Sequence, residues 1–129
     1  MRGGYSSCME HSSLVAFLNG DLSPDAFGRE ISNEVNACEH GFKTDGMGYI
    51  MVTDGPTQVI TRDHARRLLE SMLSDQLAFL AANYTADCLM MSDDFDFADD
   101  AVAEAIAFVA DDSRPPTHDE TEAAIAALS

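Results

Sequence analysis

The apolar residues of this chain recur every three or four positions over most of its length, which is the spacing of amphipathic helices. One such stripe consists of Phe27, Ile31, Val35 and Cys38. The pattern predicts five or six helices, over residues 12–20, 23–38, 61–73, 76–91, 99–110 and 117–128. The helix over 76–91 has the broadest apolar surface and is predicted to be central, with inward positions at Leu77, Leu80, Ala81, Tyr84, Cys88 and Met91.

Capping residues mark the ends of several predicted helices. Ser23 and Thr61 stand directly before helical runs, where their hydroxyl oxygens can accept from backbone N–H groups. Thr117 and Glu120 have the T-x-x-E spacing of a capping box. Gly20 ends the first helix, because glycine adopts the left-handed conformation that terminates helices without steric cost.

The pattern changes between residues 49 and 61. The runs "YIMVT" and "QVIT" are apolar or β-branched, and they are separated by "DGPT", in which Pro56 need not donate to a strand. Two short runs joined by a turn predict a β-hairpin. A hairpin is marginal alone, so it should lie against the helices.

These elements together predict a mainly α fold. We expect a single helical bundle-like domain over residues 12–129, with about five or six helices and a small β-hairpin. Residues 1–11 have no apolar period and are predicted to be a loose lead-in.

The composition adds a strong negative field to this globular pattern. The 129 residues are 46% hydrophobic and 23% charged, which suits a folded domain, but the formal net charge is −16 and the only lysine is Lys43. Such a field repels nucleic acid and anionic lipid and attracts cationic surfaces, so we expect neither a nucleic acid nor a membrane as partner. The cysteines form no CxxC pair, and no leader or membrane-spanning run is apparent, so a cytoplasmic location is predicted.

The charge is densest in "SDDFDFADD", residues 92–100. Ionised carboxylates stay at the surface unless they are paired, so this stretch should present concentrated negative potential. We expect at least one of its phenylalanines to tuck under the following helix and an exposed one to act as an anchor. The predicted partner-binding residues are Asp93, Asp94, Phe95, Asp96, Phe97, Asp99, Asp100 and Glu104.

The three arginines Arg62, Arg66 and Arg67 form the single basic cluster. Asp63 and Glu70 lie within a turn of them, so the cluster is predicted to form surface ion pairs with these carboxylates or with the acidic stretch itself.

Catalytic and metal-binding motifs were sought and not found in the sequence. The acidic stretch fits an EF-hand loop in neither register, because the required oxygen ligands fall on Phe95, Phe97 or Ala98. There is no HExxH spacing, no G-x-S-x-G elbow and no glycine-rich phosphate loop. We therefore expect no enzyme activity, cofactor or metal, with an irregular divalent-cation site kept as a weaker alternative.

The stretch "LVAFLNGDLSPDAFGREI" resembles the opening of small colicin-like bacterial immunity proteins, in which a first helix ends in an "FL-x-G-[ED]-[IL]-S" turn before a helix with an inward phenylalanine. The matching residues are Phe17, Leu18, Gly20, Asp21, Leu22, Ser23 and Phe27. The stretch "ITRDHARRLLESML" and the segment from Tyr84 through the acidic stretch are similar to short acidic proteins encoded beside antibacterial toxins. The resemblance implies a non-enzymatic inhibitor that binds its own toxin.

Charge and resemblance together predict an immunity protein that neutralises a basic cognate toxin, such as a nuclease, through its acidic surface. An adaptor or chaperone for a secreted basic effector is the alternative, since it would share the charge but bind a less folded client through a more apolar interface.

Overall fold

The computed structural model describes residues 9–32, 35, 52–53, 55–111 and 114–128, which form six helices and a two-stranded sheet. The helices are α1 (His11–Asn19), α2 (residues 24–32), α3 (Arg62–Leu73), α4 (Phe79–Met91), α5 (Asp100–Ala110) and α6 (His118–Ala126). The strands are β1 (Gln58–Ile60) and β2 (Phe95–Phe97). The predicted mainly helical class is confirmed. Among the described residues, no helix combines the length and apolarity needed to cross a bilayer.

The helix caps predicted from the sequence are present in the structure. Ser23 Oγ accepts from the Ala26 N–H (3.1 Å), and Gly20 ends α1 in the left-handed region at φ 89°. Thr117 Oγ1 accepts from the Glu120 N–H (3.1 Å), and Glu120 Oε1 accepts from the Thr117 N–H (2.8 Å), which completes the capping box. Hydrogen bonds from Arg114 and from the Thr117 N–H lower the pKa of the Glu120 carboxyl to about 2.

Helix α4 has more buried residues than α3, but α3 contacts more of the other elements for which contacts are described. Helix α3 packs against α1, α4, α5 and α6, whereas α4 packs mainly against α5. Helix α4 also begins later than predicted, at Phe79, because the chain makes a turn in which Asp75 has φ 62°. Of the six positions predicted to face inward, Leu77, Ala81, Tyr84 and Cys88 are buried, whereas Leu80 and Met91 have exposed fractions of 49% and 66%.

Among the described residues, the strand at 58–60 forms a parallel pair and not a hairpin. Strand β1 pairs with β2, with Gln58 opposite Phe95 and Ile60 opposite Phe97. Residues 49–51 and 54 of the predicted hairpin lie outside the described residues, and Val52 forms a parallel bridge with Met9. The reason is tertiary: α3 and α4 return the chain so that β2 meets β1 in the same direction.

Residues 9–11, the end of the predicted lead-in, are packed. The Met9 side chain is fully buried, and the Met9 carbonyl accepts from the Thr53 N–H (2.9 Å). His11 is 6% exposed and begins α1. The packed part of the chain therefore starts before residue 12, and residues 1–8 lie outside the described residues.

The arginine cluster joins elements rather than forming a free basic patch. Arg67 donates to the carbonyl oxygens of Phe17 and Leu22 (2.9 Å for Leu22), at the end of α1, and lies over the Phe17 ring at 5.1 Å from its centroid. Arg66 pairs with Asp63 (3.0 Å), as predicted. Phe17 in turn stacks on Phe27 of α2 with ring centroids 4.4 Å apart, so α1, α2 and α3 share one core.

Candidate functional site

The acidic stretch forms a turn, a strand and a helix start between α4 and α5. The Asp94 N–H donates to Ser92 Oγ (3.2 Å), which closes the turn after α4. Along β2 the side chains alternate: Phe95 is buried, Asp96 is exposed and Phe97 is half-buried against the core. The prediction that at least one phenylalanine tucks inward is confirmed for Phe95, although a strand rather than a helix entrance places it there.

Phe95 is a core residue. It is 6% exposed, and its ring stacks on the buried His11 ring with centroids 4.9 Å apart and an interplanar angle of 13°. Gly55 lies against the same imidazole, where an added Cβ would come within 2.3 Å of His11 Nδ1. Phe95 therefore does not meet the condition of exposure on which its predicted role as an anchor depended, because burial leaves almost no area to offer.

Asp94 and Asp99 are engaged within the fold. Asp94 Oδ2 accepts from the Gly55 N–H (3.2 Å). Asp99 is the N-cap of α5, where Oδ1 accepts from the Val102 N–H (3.0 Å), and Oδ2 accepts from Arg62 Nε (3.0 Å). These bonds, with the Val102 N–H first, lower the pKa of the Asp99 carboxyl. The predicted pairing of the arginine cluster with the acidic stretch is confirmed at Arg62.

The remaining three aspartates of the stretch are exposed, and so is Glu104 on α5. Within the described part of the chain, none of their side chains forms an ion pair or a hydrogen bond. We call this set the acidic surface; it consists of Asp93, Asp96, Asp100 and Glu104. Asp100 lies in the first turn of α5, where its negative charge also complements the positive end of the helix dipole.

The acidic surface is rigidly mounted. Asp93 follows α4, Asp96 lies on β2 opposite Val59, and Asp100 and Glu104 are one turn apart on α5. Helices α4 and α5 pack against each other along their lengths, and Asn83 Nδ2 of α4 donates to the Val109 carbonyl (2.9 Å). The carboxylates are therefore presented by ordered elements, which is the arrangement that favours recognition of a folded cationic surface.

The described residues contain no group of three or more histidine, cysteine, aspartate or glutamate side chains arranged to hold a metal ion. Asp94 and Asp99, the best placed neighbours of the acidic surface, already accept hydrogen bonds from the protein.

Three exposed apolar residues beside the acidic surface were not predicted. Met90 and Met91 end α4 with exposed fractions of 50% and 66%, and Val59 on β1 is 47% exposed. The helical period predicts Met91 on the face of Tyr84 and Cys88, but Met91 is the last residue of α4 and its side chain is exposed.

A groove lies between α2 and the chain leading into α4. This groove has a volume of about 710 Å³ and is lined in part by Gly28, Val35, Leu77 and Ala81. Its two charged residues on α2, Asp25 and Arg29, pair with each other. The lining does not bring together groups suited to acid–base or nucleophilic chemistry.

No protein-family model, curated protein or solved structure matches this chain. The resemblance to colicin-like immunity proteins therefore depends on the residues quoted for it.

Proposed function

We propose that this protein is an immunity protein that binds a cognate basic toxin through the acidic surface and so neutralises it. The observation that supports this proposal is the set of four exposed, unpaired carboxylates held on the turn after α4, on β2 and on α5, in a chain of net charge −16. A small domain stays soluble at a net charge of roughly 2 to 8, so solubility alone does not require this excess.

The excess charge costs self-repulsion, which a cationic partner would relieve. From residue 92 to the end there are eleven acidic residues against Arg114 alone. Such a field accelerates association with a cationic protein and pairs with the arginine and lysine side chains that a nuclease uses to bind phosphates. Binding should therefore weaken as salt is raised, since exposed charges are screened beyond about 10 Å at 0.1 M ionic strength.

The first experiment combines capture with neutralisation. Tagged protein captures partners from its native cells at low salt, and each basic protein that is retained at stoichiometric amount is expressed alone to test whether it arrests growth. Co-expression of the wild-type protein is expected to restore growth. The variant Asp93→Asn, Asp96→Asn, Asp100→Asn, Glu104→Gln is expected to lose at least about tenfold in affinity for that partner, because it removes the charges that face it.

The matched control removes equal charge elsewhere. The variant Asp21→Asn, Glu30→Gln, Glu70→Gln, Asp75→Asn neutralises four exposed acids outside the acidic surface and should bind and protect like the wild type. Equal losses in the two variants would show that net charge alone matters and would contradict a defined acidic surface. If the only retained partner is an unfolded client whose binding survives high salt, the adaptor alternative replaces the immunity proposal.

A further inference from the structure

The described residues include four large apolar side chains that are about half exposed or more, and three of them lie beside the acidic surface. These are Val59, Met90 and Met91; the fourth, Leu80, lies at the opposite end of α4. Single exposed apolar residues are ordinary, but a group of them rimmed by charge is typical of an interaction site.

The sheet register and the helix end fix where these three residues lie. Val59 is directly opposite Asp96 in the parallel pair, so both side chains are on the outer face of the sheet, away from the buried Phe95 and Ile60. Met91 is followed at once by Ser92 and Asp93, where the acidic stretch begins. The apolar side chains thus border the acidic surface from β1 and from the end of α4.

The surrounding charge identifies what can cover them. A second copy of the chain would bring Asp93, Asp96 and Asp100 against the same carboxylates, which is repulsive at low salt. An anionic lipid surface or nucleic acid is repelled for the same reason. A protein surface that carries arginine or lysine around an apolar side chain complements both the exposed apolar residues and the carboxylates around them.

We propose that Val59, Met90 and Met91 are the apolar anchors of the partner interface and that the carboxylates of the acidic surface form its polar rim. This inference deepens the proposed function and rests on it for the identity of the partner, but not for the chemistry of the surface. Methionine suits this place, since its flexible, polarisable side chain adapts to the apolar groups presented to it. The apolar centre excludes water, and the charged rim sets orientation and association rate.

The test uses two synthetic peptides of equal length and equal arginine content, one with leucines between the arginines and one with serines. Wild-type protein is expected to bind the leucine peptide about tenfold more tightly, because only that peptide buries apolar area against the anchors. The variant Val59→Thr, Met90→Gln, Met91→Gln should bind both peptides alike, at the affinity of the serine peptide. These replacements suit an exposed strand and an exposed helix position, so the fold is retained.

Leu80→Gln supplies the matched control, since Leu80 is equally exposed on the same helix but remote from the acidic surface. It should leave the preference for the leucine peptide unchanged. Methyl NMR gives an independent readout: on addition of the leucine peptide, the signals of Met90 and Met91 should shift, while the signal of the buried Met9 should not.

The outcomes separate this inference from the proposed function. If the wild type binds both peptides equally, or if Leu80→Gln lowers the leucine preference as much as the triple variant does, Val59, Met90 and Met91 are not the anchors. The acidic surface and the immunity proposal are then unaffected. If the wild type self-associates at high salt and the Val59, Met90 and Met91 variant does not, the apolar residues bind a second copy of the chain and not a cationic partner. A clear leucine preference with no toxin in the capture experiment supports the anchors and removes the immunity proposal.

Discussion

The stack of His11 on Phe95 depends on the absence of a side chain at residue 55. An alanine Cβ there would meet three ring atoms of His11 at 2.3 to 2.6 Å, closer than any relaxed contact allows. The Gly55 N–H also holds the Asp94 carboxylate at 3.2 Å. Gly55 therefore leaves room for the His11 ring that packs on β2, and its N–H group holds the turn that contains Asp94.

At the residue scale we predict that Phe95 acts through stability and not through contact with a partner. Phe95→Ala should lower the free energy of unfolding by roughly 3–5 kcal/mol, the cost of truncating a buried aromatic ring. Phe97→Ala, at a half-buried position on the same strand, should cost less. Urea unfolding of both variants measures the difference. A neutral Phe95→Ala that nevertheless weakened partner binding would return Phe95 to the interface.

At the scale of the element, α3 begins with a capping box that contains a histidine. His64 Nδ1 accepts from the Thr61 N–H (3.1 Å), while Thr61 Oγ1 accepts from the His64 N–H (3.3 Å). Nε2 lies 2.8 Å from Asn19 Oδ1, which requires the tautomer with the proton on Nε2 and leaves Nδ1 as an acceptor. Burial lowers the pKa of His64 below 6.5, against an opposing contribution from Asp63. The neutral ring is thus the one that caps α3.

This cap makes the stability of the domain depend on pH. The folded state lowers the pKa of His64, so the unfolded chain binds more protons than the folded one near pH 6.5. The contribution of the neutral His64 cap to the free energy of unfolding is therefore complete above that pH, and it is lost as the pH falls through the pKa of the folded state. His64→Gln should remove this decline, since glutamine at the same position accepts from the cap N–H without titrating. The urea midpoints of wild type and variant at about pH 8 and about pH 5.5 test this.

The control for that measurement is His118→Gln, which removes an exposed histidine at the start of α6. It should keep the pH dependence of the wild type between the same two conditions. If His64→Gln declines as steeply as the wild type, the capping box is not the source of the dependence.

At the scale of the whole molecule, the net charge of −16 opposes the compact state. Ion pairs between described residues join Arg29 to Asp25, Arg62 to Asp99, Arg66 to Asp63 and Arg114 to Glu120. The four carboxylates of the acidic surface have no such partner among the described residues and repel one another through solvent, where salt screens them.

We therefore predict that sodium chloride stabilises the free protein. The free energy of unfolding should rise by on the order of 1 kcal/mol between low and moderate salt, comparable to one pair of unit charges about 4 Å apart in water. The variant that neutralises the acidic surface should have a higher free energy of unfolding at low salt and a smaller increase when salt is added. Chloride is the suitable anion, because sulfate also stabilises proteins by exclusion from their surface. Urea unfolding at several salt concentrations measures the rise, and stability that is flat with salt would contradict the prediction.

The sequence by itself determined the helices, their caps and the sign of the surface charge. The caps at Ser23, Thr61 and Thr117 and the helix stop at Gly20 follow from groups a few residues apart, so local chemistry suffices to predict them. The burial of Val102, Ile106 and Val109 on α5 follows likewise from the helical period.

Which residues meet and which remain exposed depends on the packing of elements that are distant in the chain. The parallel pairing of β1 with β2 joins segments far apart in the chain, and the sequence pattern of a short apolar run does not specify its partner. Helix α4 begins only after the turn at Asp75 and leaves Met91 exposed at its end, while the ring of His11, from the predicted lead-in, stacks on Phe95. The acidic surface was visible in the sequence because charge avoids burial at any location, but its apolar border depends on how distant elements pack.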